Sequence, residues 1–179
     1  WNKKTKRGFF LRAEDFFGYV KRTNQVREEM LKELDRVERE YEGRSEFAKI
    51  QARTPFAGAV HDIESRYGQD GLDGRSHGES FLALFQNRFV PDGLYLLDEP
   101  EVPLSPLRQL TLISLLKGMV NQGSQFIIAT HSPILLAYPG ATILQFSEDG
   151  IQNVSYDDLE HVNITRDFLK NPASFLRHL

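Results

Sequence analysis

The hydrophobic positions of this chain change period several times along its length. Leu94 to Leu97 form four consecutive apolar residues that follow Gly93, run into Asp98 and Glu99, and are stopped by Pro100. A short unbroken apolar run bounded by Gly and Pro predicts a strand buried in a parallel sheet. Gly8–Leu11 is a shorter run of the same kind, followed by Arg12-Ala13-Glu14-Asp15, and Gln125–Thr130 is another. From about Thr23 the period lengthens. Val26, Met30, Leu34, Val37 and Tyr41 recur every three or four residues, as on one face of a helix that stops near Gly43. The opposite face carries Glu28–Lys32, Asp35–Arg39 and Arg36–Glu40, opposite charges one helical turn apart. The stripe is too brief for a coiled coil. Residues 43–75, with Pro55 and four glycines from Gly58 to Gly74, predict loops with a short helix near Ala59–Tyr67.

The C-terminal half is better punctuated. Ser76 and Glu79 have capping-box spacing before Phe81, Leu82, Leu84, Phe85 and Phe89, so a helix is expected from about residue 77 to 89. Ser105-Pro106 opens the next, with Leu107, Leu110, Ile113, Leu116 and Val120 as its stripe and Gly123 as its stop. Strand 94–98, this helix and strand 125–130 together make a βαβ unit with parallel strands. Ser132-Pro133 starts a short helix by the same device. Thr142–Phe146 and Ile151–Val154 predict a hairpin through Asp149-Gly150. The tail predicts short helices, one near 157–161 and one capped by Thr165, with a break at Asn171-Pro172.

Composition narrows the possibilities modestly. The 179 residues are 40% hydrophobic and 26% charged, which suits one globular domain with room for a subdomain. A net charge of −3 gives no field that would draw the whole chain to nucleic acid or anionic membrane. The basic cluster Lys3, Lys4, Lys6 and Arg7 is local and terminal. With no cysteine, disulfides and thiolate metal sites are excluded, which fits a cytoplasmic protein. No apolar run reaches the length of a membrane span, so no direct membrane insertion is expected.

Three stretches carry candidate chemistry. In parallel sheets ligands sit beyond the carboxyl ends of the strands, where Asp98 and Glu99 fall. One carboxylate there suits Mg²⁺, which keeps several waters and takes few protein ligands besides substrate phosphates. The other can orient or deprotonate an attacking water. His131 follows the strand 125–130 and can hydrogen-bond a terminal phosphate. The helix start at Ser76–Gly78 offers free N–H groups to an anion, with Gly78 allowing close approach. Singly, each has a commoner structural explanation: an acidic surface turn, a structural histidine, an ordinary helix start. Their order and spacing set them apart.

Gly93–Pro100 resembles the Walker B strand of ATP-binding-cassette (ABC) ATPases, with its terminal Asp-Glu-Pro. Arg75-Ser76-His77-Gly78-Glu79 is similar to their Leu-Ser-Gly-Gly-Gln signature, with Arg for Leu and His for the first Gly. Ala129-Thr130-His131-Ser132 resembles the switch-histidine strand. Val102, Pro103, Leu104 and Ser105 occupy the place of the D-loop without its aspartate. Phe10–Glu14 occupies that of the Q-loop strand, with Arg12 and Glu14 but no glutamine. The resemblance is strong over most of residues 75–133, loose elsewhere, and closest to small soluble bacterial ATPases of this type.

The resemblance implies an α/β, P-loop NTPase-like fold, an ABC-type three-layer core with a mostly parallel sheet and a helical insertion. It implies ATP and Mg²⁺ as ligands and a head-to-tail homodimer with ATP sandwiched between subunits. Asp98 is then the Mg²⁺ residue, through water; Glu99 the catalytic carboxylate; His131 the γ-phosphate contact. Ser76, His77, Gly78 and Glu79 complete the site of a second subunit. By the same reading 22–75 is a helical and signature subdomain, 90–155 the core sheet and 156–179 a helical tail.

A phosphate loop of the form G-x-x-x-x-G-K-[ST] does not occur in the sequence. The family places that loop N-terminal to everything here, and the chain begins at Trp1. The expectation is therefore the C-terminal portion of an ATPase domain, which alone neither binds ATP tightly nor hydrolyses it. Competing readings are a catalytically incomplete interaction module, favoured by the absent loop, and a transporter's nucleotide-binding subunit, for which the missing Q-loop glutamine is awkward. A DNA-repair or phage-defence ATPase is a further alternative, although the helix Val26–Tyr41 is short for the arms of the repair enzymes. Nucleic acid is not indicated.

Overall fold

The computed structural model describes residues 5–68, 77–148 and 150–177, which form two compact units divided at Ile128/Ala129. The expectations placed on Ser76 and on Asp149 fall outside the described residues.

The first unit is built on a parallel three-stranded sheet of order β1 (Gly8–Arg12), β2 (Leu94–Asp98) and β3 (Gln125–Ala129). Gly8 pairs with Leu94 and Arg12 with Asp98, so the first two strands end side by side. Gly8 starts β1 at φ +141°, and a Cβ there would lie 1.8 Å from the Leu94 carbonyl oxygen, which restricts that register to glycine. The inner face of the sheet is aromatic. Phe9, Tyr95 and Phe126 meet Phe89 at ring distances of 5.8, 4.6 and 5.2 Å. Phe89 follows helix α3 (His77–Arg88), where Phe81 and Phe85 continue the column at four-residue spacing down to Phe16. The turn before β2 is fixed by Tyr95, whose buried hydroxyl donates to the Val90 carbonyl and accepts from the Val90 N–H. A side chain at Gly93 would meet that hydroxyl at 2.4 Å.

Two long helices follow β1. Helix α1 (Ala13–Glu40) starts ten residues before the expected Thr23, directly after β1, because Ala13 and Phe16 bury against the aromatic column rather than in the 26–41 stripe. Helix α2 (Glu46–Tyr67) replaces the expected loops and short helix. It runs through Pro55, which removes a backbone donor and normally breaks a helix. The compensation is packing along α1. Tyr19–Tyr67, Arg27–Glu64 and Glu38–Arg53 contact at 2.9, 2.6 and 2.8 Å, an antiparallel hairpin closed by the Ser45 N-cap. Of the i,i+4 pairs, Arg36–Glu40 forms at 2.7 Å, whereas Arg39 donates to the Asp35 carbonyl.

Helix α4 (Pro106–Val120) links β2 to β3 and packs beside α3. Its buried side is Leu112 and Leu116. Of the expected stripe, Leu107 and Leu110 are 74% and 54% exposed and Val120 is exposed too. The helix is apolar on more than one side, so a 3.6-residue count included exposed positions with buried Leu116 and missed Leu112. The outer face of the sheet is likewise uncovered: Phe10, Leu96 and Ile127 are 56%, 37% and 50% exposed. Among the described residues, helices cover one face of this sheet.

The second unit opens with α5 (Pro133–Leu136), whose cap residue Ser132 accepts from the Ile134 and Leu135 N–H groups. β4 (Ile143–Ser147) and β5 (Gly150–Val154) form a separate antiparallel two-stranded sheet. A 3₁₀ turn (Tyr156–Asp158), α6 (Glu160–Lys170) and α7 (Pro172–Leu176) complete it. Thr165 does not start a helix. It lies inside α6, where its hydroxyl donates to the His161 carbonyl at 2.7 Å.

Candidate functional site

The carboxyl end of β2 has a constrained backbone. Asp98 is the last strand residue and shares the outer face with Leu96. Glu99 follows at φ +48°, a left-handed conformation that non-glycine residues rarely adopt. Such a residue costs on the order of 1–3 kcal/mol and persists only where its surroundings fix it. Here Pro100 is fully buried, the Glu99 carbonyl accepts from the Val102 N–H at 3.1 Å, and the Glu101 carbonyl accepts from the Leu104 N–H at 2.8 Å. Buried Leu104 anchors the far side of this turn. The chain thus reverses immediately after Asp98 and leaves the Glu99 side chain exposed at the strand end.

Parallel pairing brings a neighbour that sequence spacing does not reveal. Arg12, opposite Asp98 in register, places Nε 3.3 Å from Asp98 Oδ2, while its NH1 lies 3.8 Å from Glu14 Oε1 in the first turn of α1. Both Q-loop-like residues therefore stand at this strand end, Arg12 as a direct partner of the expected metal carboxylate.

The signature-like and D-loop-like segments also meet. The Arg108 guanidinium, in the first turn of α4, donates to Glu79 Oε1 at 2.7 Å. A Cβ on Gly78 would lie 2.8 Å from Arg108 Cδ and 2.9 Å from the Pro103 carbonyl oxygen. The space left by this glycine is occupied within the chain, where the sequence suggested room for phosphate. His77 is the first residue of α3. Val102 and Ser105 are exposed, Pro103 half-buried, and Ser105 precedes α4 without a side-chain capping bond. Arg108 was not anticipated, since nothing in its spacing singles it out.

His131 belongs to the second unit, where it is exposed and stands one residue before the Ser132 cap.

Among the described residues, no group of three or more His, Asp or Glu side chains is placed to hold a metal ion. Asp98 is 38% exposed and faces one guanidinium. That donor set does not make a closed cage. It fits a hard cation that keeps most of its waters and takes further ligands from phosphate, as Mg²⁺ does.

A parallel sheet with acidic residues at the carboxyl end of its central strand, linked by a crossover helix to the next strand, is compatible with a P-loop NTPase-like fold. Residues 80–137 match a family profile described as "AAA domain, putative AbiEii toxin, Type IV TA system". The match supports relationship to P-loop ATPases and suggests nucleotide binding or ATPase-like activity. It contains Asp98, Glu99 and His131 and stops short of Ser76–Glu79. No curated protein and no solved structure matches the chain. Among the described residues no helix is long and apolar enough to cross a membrane.

Proposed function

We propose that this chain contributes the hydrolytic edge of an ABC-type ATPase site. The observation that carries the reading is the left-handed Glu99 held directly beyond Asp98 at the carboxyl end of the central strand. Strained residues cluster at functional sites, and ligands of open parallel sheets bind beyond the carboxyl ends of the strands.

In this reading Asp98 holds Mg²⁺ through water, and the cation when bound neutralises charge on the phosphate oxygens. Glu99 accepts a hydrogen bond from the attacking water and takes its proton as the water oxygen bonds to the γ-phosphorus and ADP leaves. His131 contacts the γ-phosphate. Ser76, His77, Gly78 and Glu79 act on the nucleotide of a second copy, with Val102–Ser105 beside them, so turnover requires a head-to-tail dimer. The phosphate-gripping loop comes from outside these residues. The uncovered outer face of the sheet, on which Phe10, Leu96 and Asp98 lie, suits a third layer that such a segment would supply.

Calorimetric titration of MgATP into this chain should show no tight binding. Adding a segment that bears a phosphate loop should restore binding and turnover, and Glu99→Gln should then abolish turnover while preserving the ATP-bound dimer. Unchanged turnover in that variant removes Glu99 from the mechanism.

The family description favours a second reading, in which the same ATPase-like core serves one component of a toxin–antitoxin pair. The chemistry at Asp98 and Glu99 is common to both.

A further inference from the structure

We propose that Arg12 occupies Asp98 as a competitor of the divalent cation and so sets the cation concentration at which this strand end fills. The inference rests on the reading of Asp98 as the cation residue. Three observations carry it. Arg12 and Asp98 are register partners at the ends of adjacent parallel strands, so the backbone itself delivers the guanidinium to the carboxylate. The Arg12 Nε–Asp98 Oδ2 distance is 3.3 Å, which places a positive charge where the coordination shell of a cation on Asp98 would lie. The guanidinium carbon also lies 5.6 Å from the Phe10 ring centroid, and NH1 lies 3.8 Å from Glu14, so Asp98 is one of three groups that the side chain meets in this pose.

A dication arriving at Asp98 therefore meets a like charge that it must push aside or tolerate. Both partners are partly exposed, with side-chain accessibilities of 51% and 38%, so the guanidinium has a path away. The same exposure limits the effect. Solvent-screened pairs of this kind correspond to a change in cation midpoint of about two- to fivefold.

The test is amide NMR of the 179-residue chain titrated with Mn²⁺ alone, which reports the place of binding by local line broadening. Wild type is compared with Arg12→Gln, Arg12→Met, Arg12→Lys and Asp98→Asn, and the spectra themselves report whether each variant is folded. Arg12→Met keeps an apolar stem over Phe10, so a neutral variant remains should the glutamine fail to fold. The expected result is broadening centred on residues 98–99, with a midpoint about two- to fivefold lower in a neutral variant and near wild type in Arg12→Lys. Equal midpoints in wild type and a neutral variant, with broadening that Asp98→Asn abolishes, overturn the role of Arg12 and leave Asp98 as the cation residue. Broadening that survives Asp98→Asn, or none near Asp98 in a neutral variant, removes the cation reading and the proposal with it.

Discussion

Replacing Glu99 by glycine should leave the chain more stable than replacing it by alanine, since both remove the side chain and only glycine relieves the backbone. At φ +48° a side-chain Cβ crowds the backbone, at a cost of roughly 1–2 kcal/mol that glycine does not incur. Against this, glycine loses about 0.5–1 kcal/mol more conformational entropy on folding than alanine. The net gain is then about 0.5–1 kcal/mol, or a rise in midpoint temperature of roughly 1–4 °C for a chain of this size. Glu99→Val should move the other way, since a β-branched residue tolerates the left-handed region less well. Glu99→Gln keeps the backbone and removes the charge, so it should stay within about 0.5 kcal/mol of wild type. Urea unfolding followed by circular dichroism, with the slope compared across variants, measures all four. A Glu99→Gly chain no more stable than Glu99→Ala would refute the strain.

Gly78→Ala should destabilise the chain by about 1–2 kcal/mol in the same assay, because the new methyl group meets the Pro103 carbonyl as well as the flexible Arg108. Burial raises the pKa of Tyr67, aided by its hydrogen bond and proximity to Tyr19. Its contribution is therefore complete below the unfolded tyrosine value of about 10 and falls by about 1.4 kcal/mol per pH unit above it; Tyr67→Phe should remove that part of the slope in urea unfolding at pH 9–11. A double-mutant cycle on Arg27 and Glu64, partly buried between α1 and α2, should give a coupling of about 1 kcal/mol, and no coupling would mean that the helical hairpin is held by apolar packing alone.

What was legible in the sequence follows from how local each cause is. Leu94–Asp98 is a strand because its apolar run and its stops lie within eight residues. The starts of α4 and α5 were readable because a proline fixes the backbone of the first turn by itself, and at α5 Ser132 caps it as well. The carboxylates Asp98 and Glu99 stood out for the same reason. Helix α2 was obscured because its stability comes from α1: Arg27, Glu38 and Tyr19 reach their partners across 15 to 48 residues of chain, and no local count weighs them against Pro55. Ser45 was the available signal, a cap residue ahead of Glu46-Phe47-Ala48. The stripe of α4 misled for a related reason, since which of two apolar faces is buried depends on α3. Arg12 and Arg108 are partners made by strand register and by helix packing, and neither is visible from spacing.

Gly78 shows how a single residue can satisfy a motif for a reason other than the one the motif suggests. A glycine at the second position of a helix can be needed so that a phosphate approaches the free N–H groups. Here the space where a Cβ would stand is filled by the Pro103 carbonyl and the Arg108 stem, and Arg108 goes on to bind Glu79. The glycine therefore lets the start of α3 dock onto the turn that follows Asp98-Glu99-Pro100. That docking has a mechanical consequence. The Glu99–Leu104 turn is closed by its own backbone bonds, anchored by Leu104, and pressed against α3 through Pro103. A shift at the strand end reaches the helix start through the Pro103 carbonyl and through the Arg108–Glu79 pair. If the helix start acts on a second copy while the strand end acts on its own nucleotide, these contacts link the two.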